Sequence, residues 1–263
     1  MNASEMFDLS GQVAFVTGAA SGLGLAMSEV LAANGATVVM ADINEEGLVA
    51  AIGRLRGAGL KIELERLDVS DLTALEKSIA KAAERLGRLD ILCANAGLSA
   101  GPGPLTELGE MAKVDLGRWD ELLRINLTSV FVSVRAAAAQ MRSRKYGRII
   151  VTSSVAGLRG ERLCGYGYVT TKAGVANLVR QASLELASEG VTVNAVAPGP
   201  FLTNIGNGKL REAETASAVA SSVPMKRIAH PDEIKGLTLL LASRASSFMT
   251  GTVVPIDGGV YAV

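Results

Sequence analysis

The chain has 263 residues, 49% of them hydrophobic, and its 26 Lys and Arg balance its 26 Asp and Glu. A zero net charge with no basic stripe or polybasic segment argues against a nucleic-acid-binding protein and against one attracted to an anionic membrane surface. Glycine is in excess, at 29 residues against a typical usage of about 7%. It gathers in short clusters between apolar runs, where it can serve tight turns and close ligand approach.

The cysteines and the first residues bear on the cellular compartment. Cys93 lies in an apolar run and Cys164 in a glycine-rich loop, so a disulfide framework is not expected. Residues 1–10 lack the basic region and apolar stretch of a secretory signal. The apolar runs are also broken well short of the roughly 18 residues of a membrane span. We therefore expect a cytoplasmic protein without membrane contact.

The chain alternates short apolar runs with longer segments of helical periodicity. The runs are rich in Val, Ile and Leu without clean alternation, which is typical of strands buried on both faces. The predicted strands are Val13–Thr17, Ala36–Ala41, Lys61–Leu67, Leu89–Ala94, Arg148–Thr152, Val191–Ala197 and Thr252–Ile256. The predicted helices are Gly22–Asn34, Asn44–Arg56, Ser70–Leu86, Arg118–Ser143, Tyr168–Ser188 and Pro231–Ala242, with Asn44, Ser70 and Asp120 as N-caps.

This alternation predicts an α/β fold, in which one doubly wound, Rossmann-like parallel sheet of about seven strands has helices on both faces. No linker, charge run or repeat divides the chain, so residues 1–263 are expected to form a single domain. Two long connections, Leu98–Gly117 and Gly199–His230, interrupt the pattern, and loops of that length are usually functional or mobile.

A glycine cluster follows the first predicted strand and opens the first helix. Gly18, Gly22 and Gly24 lack the Cβ atoms that would keep the turn away from a pyrophosphate, and the helix N-terminus offers free N–H groups to that anion. A tight turn is the plain alternative, but a position between a strand and a helix favours a dinucleotide site.

Asp42 ends the second predicted strand, 24 residues after Gly18. A carboxylate there can accept hydrogen bonds from the adenosine ribose hydroxyls and repel a 2′-phosphate, which favours NAD over NADP. The flanking Ser21 and Ile43 offer no cation to such a phosphate. Alternatively, Asp42 only caps its own loop.

Tyr168 and Lys172 are four residues apart at the start of a predicted helix, so their side chains project from one face. An ammonium beside a phenol lowers its pKa, which would make Tyr168 a usable acid and base. Ser154 follows the fifth strand at the carboxyl edge of the sheet, where ligands bind. Asn126 is a polar residue in an apolar stretch; it either serves the site or is a buried amide bonded to backbone.

Together these residues resemble the short-chain dehydrogenase/reductase family over essentially the whole chain. The resemblance covers Thr17–Gly24, Asp68-Val69, Asn95-Ala96-Gly97, Pro198-Gly199 with Thr203, and Asp257-Gly258-Gly259. It implies a catalytic tetrad of Asn126, Ser154, Tyr168 and Lys172, with Ser153 a rival for the serine role because the interval from Ser154 to Tyr168 is 14 residues. The implied cofactor-binding residues are Gly18, Ser21, Gly22, Leu23, Gly24, Asp42, Ile43, Asp68, Val69, Asn95, Ala96, Gly97, Tyr168, Lys172, Pro198, Gly199 and Thr203.

The resemblance implies an NAD-dependent oxidoreductase that interconverts a secondary alcohol and a ketone. Ser154 and Tyr168 would bind the substrate oxygen, Lys172 would lower the Tyr168 pKa and hold the nicotinamide ribose, and Asn126 would position a water. No metal site is expected, because the single histidine, His230, precedes Pro231 at a helix start and suits a cap.

Several alternatives remain open. The protein could be a non-catalytic dinucleotide sensor or scaffold, a 3-oxoacyl-thioester reductase, or an enzyme of enoyl reduction, epimerisation or dehydration. The substrate could be a sugar or polyol, a hydroxy acid, a cyclic alcohol or an acyl thioester. Arg159, Glu161 and Arg162 could face it or be solvated.

We further expect a substrate lid at about residues 200–224, with a helical run at Leu210–Ala220, and a homotetramer built on the two longest helices.

Overall fold

The computed structural model describes residues 2–99, 101–204, 208 and 212–263. Within them, one parallel sheet has seven strands in the order β3-β2-β1-β4-β5-β6-β7. The strands are β1 (Val13–Thr17), β2 (Thr37–Asp42), β3 (Ile62–Arg66), β4 (Ile91–Ala94), β5 (Gly147–Thr152), β6 (Val191–Pro198) and β7 (Val253–Ile256). The helices are α1 (Ala3–Phe7), α2 (Gly22–Ala33), α3 (Glu45–Gly57), α4 (Leu72–Leu86), α5 (Leu116–Leu123), α6 (Ser129–Met141), α7 (Tyr166–Leu186), α8 (Ala213–Ser222) and α9 (Lys235–Ala242).

Each face of the sheet is covered by its own apolar layer. Alternate residues of a strand point to opposite faces, so Phe15 packs in the layer of α4, α6 and α7, and Val16 packs in the layer of α2, α3 and α9. Because both faces are covered, the inner strands are mostly apolar along their length and show no clean alternation, whereas the edge strand β3 carries Glu63, Glu65 and Arg66 and is largely exposed or half-buried. The predicted doubly wound sheet is confirmed.

The strand order reverses between β1 and β4, which lie side by side with Phe15 opposite Leu92. In open α/β sheets the loops at the carboxyl ends of the strands diverge at such a point and leave a crevice. The glycine cluster follows β1 and Asn95 follows β4, so the topology brings both predicted motifs to this crevice.

Two of the three predicted helix caps are wrong. Asn44 caps α3 by accepting the N–H of Gly47, as predicted. However, α4 is capped by Asp71 rather than Ser70, and α5 begins before Asp120, with Asp115 as its cap. In both cases the capping residue is the aspartate directly before the first helical leucine, Leu72 in α4 and Leu116 in α5.

The long helix predicted at Arg118–Ser143 is not regular. A π-helical turn, Arg124–Thr128, separates α5 from α6, and the N–H of Ser129 bonds to the carbonyl five residues earlier, that of Arg124. A turn of this kind holds one extra residue and is frequent at functional sites. By length and composition the combined segment Leu116–Arg144 could cross a membrane, but α6 packs on the sheet through residues such as Val134 and Met141 and is a core helix.

The predicted lid is only partly described. Residues 205–207 and 209–211 lie outside the described residues, and with them the start of the helical run expected at Leu210–Ala220. The helix itself is α8, which has no buried residue. Its end is nevertheless anchored, because Val223 directly after it is buried.

Candidate active site

The glycine loop between β1 and α2 is shaped by close backbone contacts. Gly18 and Gly22 have φ of +67° and +56°, a conformation that glycine adopts without strain. A Cβ on Gly24 would lie 2.1 Å from the carbonyl oxygen of Gly18, so the first turn of α2 can approach the loop only because this residue is glycine.

The first turn of α2 suits an anionic group. Its N-cap, Ser21, makes no side-chain capping bond, so no side chain occupies the N–H groups that open the helix, where Leu23 also lies. Thr203 closes the other side, since a Cβ on Gly22 would lie 3.3 Å from its methyl carbon. A bare helix N-terminus with a glycine approach fits the pyrophosphate of a dinucleotide.

Asn95 and Ala96 join β4 to the glycine loop. Their N–H groups donate to Oγ1 of Thr17, at 3.0 and 3.1 Å. The Asn95 amide also donates to the carbonyl of Thr17 at 3.1 Å, and its oxygen accepts from Thr152 Oγ1 at 3.1 Å. Asn95 therefore joins the ends of β1, β4 and β5.

The Asp42 carboxylate caps its own turn, the alternative that the sequence left open. It accepts the N–H groups of Ala20 and Asn44, both at 2.9 Å. The first bond ties β2 to the glycine loop, so the carboxylate lies beside the predicted pyrophosphate site while Ile43 is exposed. The sheet register also sets Arg66 opposite Asp42, and this cation is paired with Glu45 at 3.3 Å.

Tyr168 and Lys172 lie on the first turns of α7, beside the end of β5. Lys172 is buried, and its Nζ donates to the carbonyl of Thr152 at 2.7 Å. The Nζ also lies 5.7 Å from the centre of the Tyr168 ring. A Cβ on Gly97 would lie 3.6 Å from this Nζ and 3.1 Å from Oδ1 of Asn126, so two of the tetrad residues, Lys172 and Asn126, meet around Gly97.

The structure distinguishes the two candidate serines. Ser153 is buried, and its hydroxyl donates to the carbonyl of Lys172 at 3.0 Å, within the packing of α7. The hydroxyl of Ser154 instead hydrogen bonds to Tyr168 and accepts the N–H of Ala156 at 3.2 Å. Ser154 is therefore the serine that shares a site with Tyr168.

Asn126 lies in the π-helical turn and is completely buried, with 0% of its surface exposed. Its Oδ1 accepts the N–H of Leu98 at 2.7 Å, and its Nδ2 donates to the Leu98 carbonyl at 2.8 Å. Both ends of the amide are thus bonded to backbone, which was the plainer of the two interpretations. Nδ2 also lies 3.5 Å from Oγ1 of Thr171, which bonds to the carbonyl of Tyr168, so Asn126 links the loop after β4 to α7.

Burial governs the acid–base properties of the site. It raises the pKa of Tyr168 to about 12, although the Ser154 hydrogen bond acts in the opposite direction. Burial also lowers the pKa of Lys172 to about 8. The expected lowering of the Tyr168 pKa by Lys172 is not found, because the ammonium is desolvated and directed at the Thr152 carbonyl.

The remaining predicted residues lie around the same edge of the sheet. Asp68 is exposed and accepts the N–H of Ser70 at 2.8 Å, with Val69 packed beneath it.

The carbonyl of Pro198 lies 3.5 Å from the Ser154 hydroxyl. A Cβ on Gly199 would lie 2.7 Å from that of Asp257, so the loop after β6 packs on the end of β7. His230 caps the short helix Pro231–Ile234, as predicted.

Sequence reasoning missed several residues that build the site. Thr17 and Thr152 end β1 and β5 and bind Asn95 and Lys172. Their positions directly before Gly18 and Ser153 were the available signal. The pairing of Arg66 with the end of β2 could not be read without the register of the sheet.

Known proteins resemble this chain along its whole length. Residues 18–261 match the family model described as "Enoyl-(Acyl carrier protein) reductase". The cis-4-hydroxycyclohexanecarboxylate dehydrogenase of Sinomonas cyclohexanicum is 38% identical over 96% of this chain and 97% of its own length. The 3-oxoacyl-[acyl-carrier-protein] reductase of Thermotoga maritima is 35% identical over 96% of this chain and 98% of its own.

A solved structure has the same fold. The gluconate 5-dehydrogenase of Burkholderia cenocepacia, in complex with NADP and tartrate, superposes with a TM-score of 0.90 at 30% identity, and 100% of each chain is covered. The family match, these two relatives and the shared fold agree with one another. The chain belongs to the short-chain dehydrogenase/reductase family and is an oxidoreductase of the type that binds a nicotinamide dinucleotide.

Proposed function

We propose that the protein interconverts a secondary alcohol and a ketone with NAD(H), with Tyr168 as the acid and base. The observation that carries the proposal is the placement of the Ser154 hydroxyl beside Tyr168, where it acts to lower the Tyr168 pKa, in a site that also holds Lys172. Two neighbouring hydroxyls can both bind one substrate oxygen, and the phenol is the more acidic of the two.

In this proposal Ser154 and Tyr168 hold the substrate oxygen between them. During oxidation Tyr168 removes the alcohol proton, and during reduction it returns a proton to the forming alkoxide. A nicotinamide dinucleotide held by the glycine loop and the first turn of α2 would supply the hydride acceptor for oxidation and the hydride donor for reduction. Lys172 stabilises the phenolate once the ammonium turns from the Thr152 carbonyl towards the ring, and Asn126 holds the loop after β4 against α7 and positions a water.

NAD is proposed over NADP because Asp42 ends β2 beside the glycine loop. Its negative charge would repel a 2′-phosphate, and Ile43 next to it is apolar. Arg66 supports the opposite choice, since it lies opposite Asp42, and the gluconate 5-dehydrogenase of Burkholderia cenocepacia was solved with NADP. The ion pair of Arg66 with Glu45 weakens that argument.

A 3-oxoacyl-thioester reductase is the second candidate, because the Thermotoga maritima relative has that activity in its name. The other compared proteins are named for a hydroxylated cyclohexane carboxylate and for gluconate, which keeps cyclic alcohols, hydroxy acids and polyols as candidate substrates. A non-catalytic dinucleotide sensor is the remaining alternative.

A substrate panel tests these proposals. Cyclic alcohols, hydroxy acids, polyols and an acyl thioester are each assayed with NAD(H) and NADP(H) by the absorbance of the reduced nicotinamide. We expect turnover with one class and a preference for NAD. Dinucleotide binding without turnover across the panel would instead support the sensor.

We further propose a homotetramer in a reducing, cytoplasmic compartment. Both cysteines are free thiols, and burial raises the pKa of Cys93 to about 12, which keeps that thiol protonated and inert. The outer faces of α6 and α7 carry exposed apolar side chains, Phe131 and Leu184, which supports burial of these helices between subunits.

A further inference from the structure

The segment after β7, residues 257–263, forms a tight turn that we call the 257–263 turn. The Asp257 carboxylate accepts the N–H groups of Gly259 and Tyr261, at 2.9 and 2.6 Å. Gly258 and Gly259 have φ of +65° and +93°, so both occupy the left-handed region that favours glycine. The Asp-Gly-Gly sequence thus fixes a backbone that few other sequences could adopt.

This turn packs on the residues that follow α8. A Cβ on Gly258 would lie 2.8 Å from Cγ1 of Val223, and one on Gly259 would lie 3.2 Å from Pro224. The N–H of Met225 donates to the carbonyl of Gly258 at 3.2 Å. The approach is close enough that movement of the end of α8 requires movement of the 257–263 turn.

The same turn also contacts the loop that carries Ser154. Val260, Val223 and Val155 form a small buried cluster, separate from the two layers on the faces of the sheet. Val155 directly follows Ser154. A second contact lies at the end of the loop, where the Arg159 guanidinium donates to the main-chain oxygen of Val263.

On its other side the Ser154 loop is held by α7. A Cβ on Gly157 would lie 2.4 Å from the carbonyl carbon of Lys172. The short turn Val155–Gly157 begins at Ser154, whose hydroxyl accepts the Ala156 N–H. The direction of the Ser154 hydroxyl therefore depends on a turn held between α7 and Val260.

We propose that Val260 is a positioning residue, which fixes the Ser154 turn and the end of α8 relative to each other through the three-valine cluster. Only the significance for catalysis rests on the proposed function, since it requires Ser154 to bind the substrate oxygen. The mechanical coupling is a property of the fold. Loosening the cluster should free the Ser154 turn and α8 together.

The test is hydrogen exchange of the full chain with and without NAD, which needs no substrate. In Val260→Ala we expect exchange at least fivefold faster both in peptides spanning residues 154–159 and in those spanning 213–225. Val260→Ile, which keeps a branched apolar side chain in the cluster, should exchange at the wild-type rate in both regions. The matched control is Val13→Ala, which truncates a similarly buried valine at the start of the inner strand β1 and should change neither region.

A change confined to residues 257–263 in Val260→Ala, or equal effects of Val13→Ala, would overturn the proposal. Should Val260→Ala not fold, Val223→Ala carries the same expectation for residues 154–159, from the other end of the cluster. With any alcohol that is turned over, Val260→Ala should lower kcat about tenfold while the KM for NAD stays within twofold. If the wild type bound no dinucleotide, the proposed function would be contradicted, but the exchange measured without NAD would still test the coupling through Val260.

Discussion

At the scale of single residues, Lys172 is a buried cation bonded to a carbonyl rather than to a carboxylate. Its pKa is lowered from 10.5 in the unfolded chain to about 8 by burial. Between these two values the unfolded chain binds more protons than the folded one, so this group makes the protein more stable as the pH rises from about 8 to about 10. Each unit of pKa corresponds to about 1.4 kcal/mol.

Lys172→Met should therefore remove this rise in the free energy of unfolding between about pH 8 and pH 10. Urea unfolding of both proteins at pH 7, 8, 9 and 10 gives the difference in their free energies of unfolding. We expect the variant to be the more stable at pH 7 by about 2–3 kcal/mol, and the advantage to shrink as the pH rises. The raised pKa values of Cys93 and Cys164 destabilise both proteins at high pH and cancel in the difference. A difference independent of pH would contradict the buried-cation account.

Tyr168→Phe should abolish nearly all turnover and leave NADH binding within a few-fold. Phenylalanine keeps the ring and removes only the hydroxyl bonded to Ser154. A positioned acid or base contributes about 10²–10⁴-fold to the rate, so more than about a tenth of the wild-type kcat would refute the assignment. Tyr166→Phe, on the same helix two residues earlier, is the control and should stay active.

Asp42→Ala should lower the ratio of NAD to NADP affinity. A charged hydrogen bond to the ribose is worth about 1.5–3 kcal/mol, and NADP gains by the removal of a repulsive charge. Because Asp42 also holds the N–H groups of Ala20 and Asn44, the alanine variant should weaken both cofactors somewhat. Asp42→Asn removes the charge and keeps an acceptor, so it isolates the electrostatic part. A wild type that prefers NADP would show the reading of Asp42 to be wrong.

At the scale of elements, the approach of α2 to the glycine loop depends on Gly24. A Cβ there would lie 2.1 Å from the Gly18 carbonyl oxygen, which backbone movement alone can relieve. Gly24→Ala should destabilise the fold by about 1–3 kcal/mol, as overpacking does, and weaken NADH binding at least tenfold. Urea unfolding and fluorescence titration measure the two effects.

Gly53→Ala is the matched control in α3. A Cβ at Gly53 would meet nothing within 4 Å, so alanine should stabilise that helix by about 0.5–1 kcal/mol and leave NADH binding unchanged. If Gly24→Ala and Gly53→Ala bound NADH equally well, the close contact of α2 with the glycine loop at Gly24 would not shape the dinucleotide site.

The elements also explain what the sequence could and could not predict. The apolar strands, the glycine loop and the Tyr168–Lys172 pair depend on local patterns, and each lies where its pattern indicated. The π-helical turn at Asn126 does not interrupt the apolar periodicity, so a single helix was the natural prediction. The Thr152 carbonyl that accepts from Lys172 is 20 residues away along the chain. A hydrogen bond from a side chain to such a distant carbonyl leaves no local pattern in the sequence.

At the scale of the whole molecule, the reversal of strand order decides where the chemistry lies. Between β1 and β4 the connections leave on opposite sides, so the glycine loop and Asn95 border one crevice. The Ser154 and Tyr168 site follows the next strand along, β5. The glycine loop after β1 and the Ser154 turn after β5 are thus held at one edge of the same sheet, with only β4 between their strands.

Assembly into a tetramer was expected from the small and apolar stretches of the two long helices. Within the stretches Ala136–Ala139 and Ala173–Ala176, the side chains of Ala136, Ala137, Ala138 and Ala176 are buried inside the subunit, whereas Ala139 and Ala173 are exposed. Larger apolar side chains are exposed on the same helices, with Leu184 of α7 at 77% and Phe131 of α6 at 47%. These helices lie side by side on one face of the sheet, and such an exposed apolar face is typical of an interface repeated by two-fold symmetry.

Light scattering should therefore give about four times the chain mass of 27.2 kDa. Leu184→Glu places a charge in the proposed interface, where burying it without a partner is strongly unfavourable, so the variant should run as a dimer or monomer. Val49→Glu is the control, because Val49 is also exposed but lies on α3, on the opposite face of the sheet. A wild-type monomer at micromolar concentration would refute the assembly. A tetramer unaffected by Leu184→Glu would move the interface away from α7, towards another exposed apolar residue such as Phe248 beside β7.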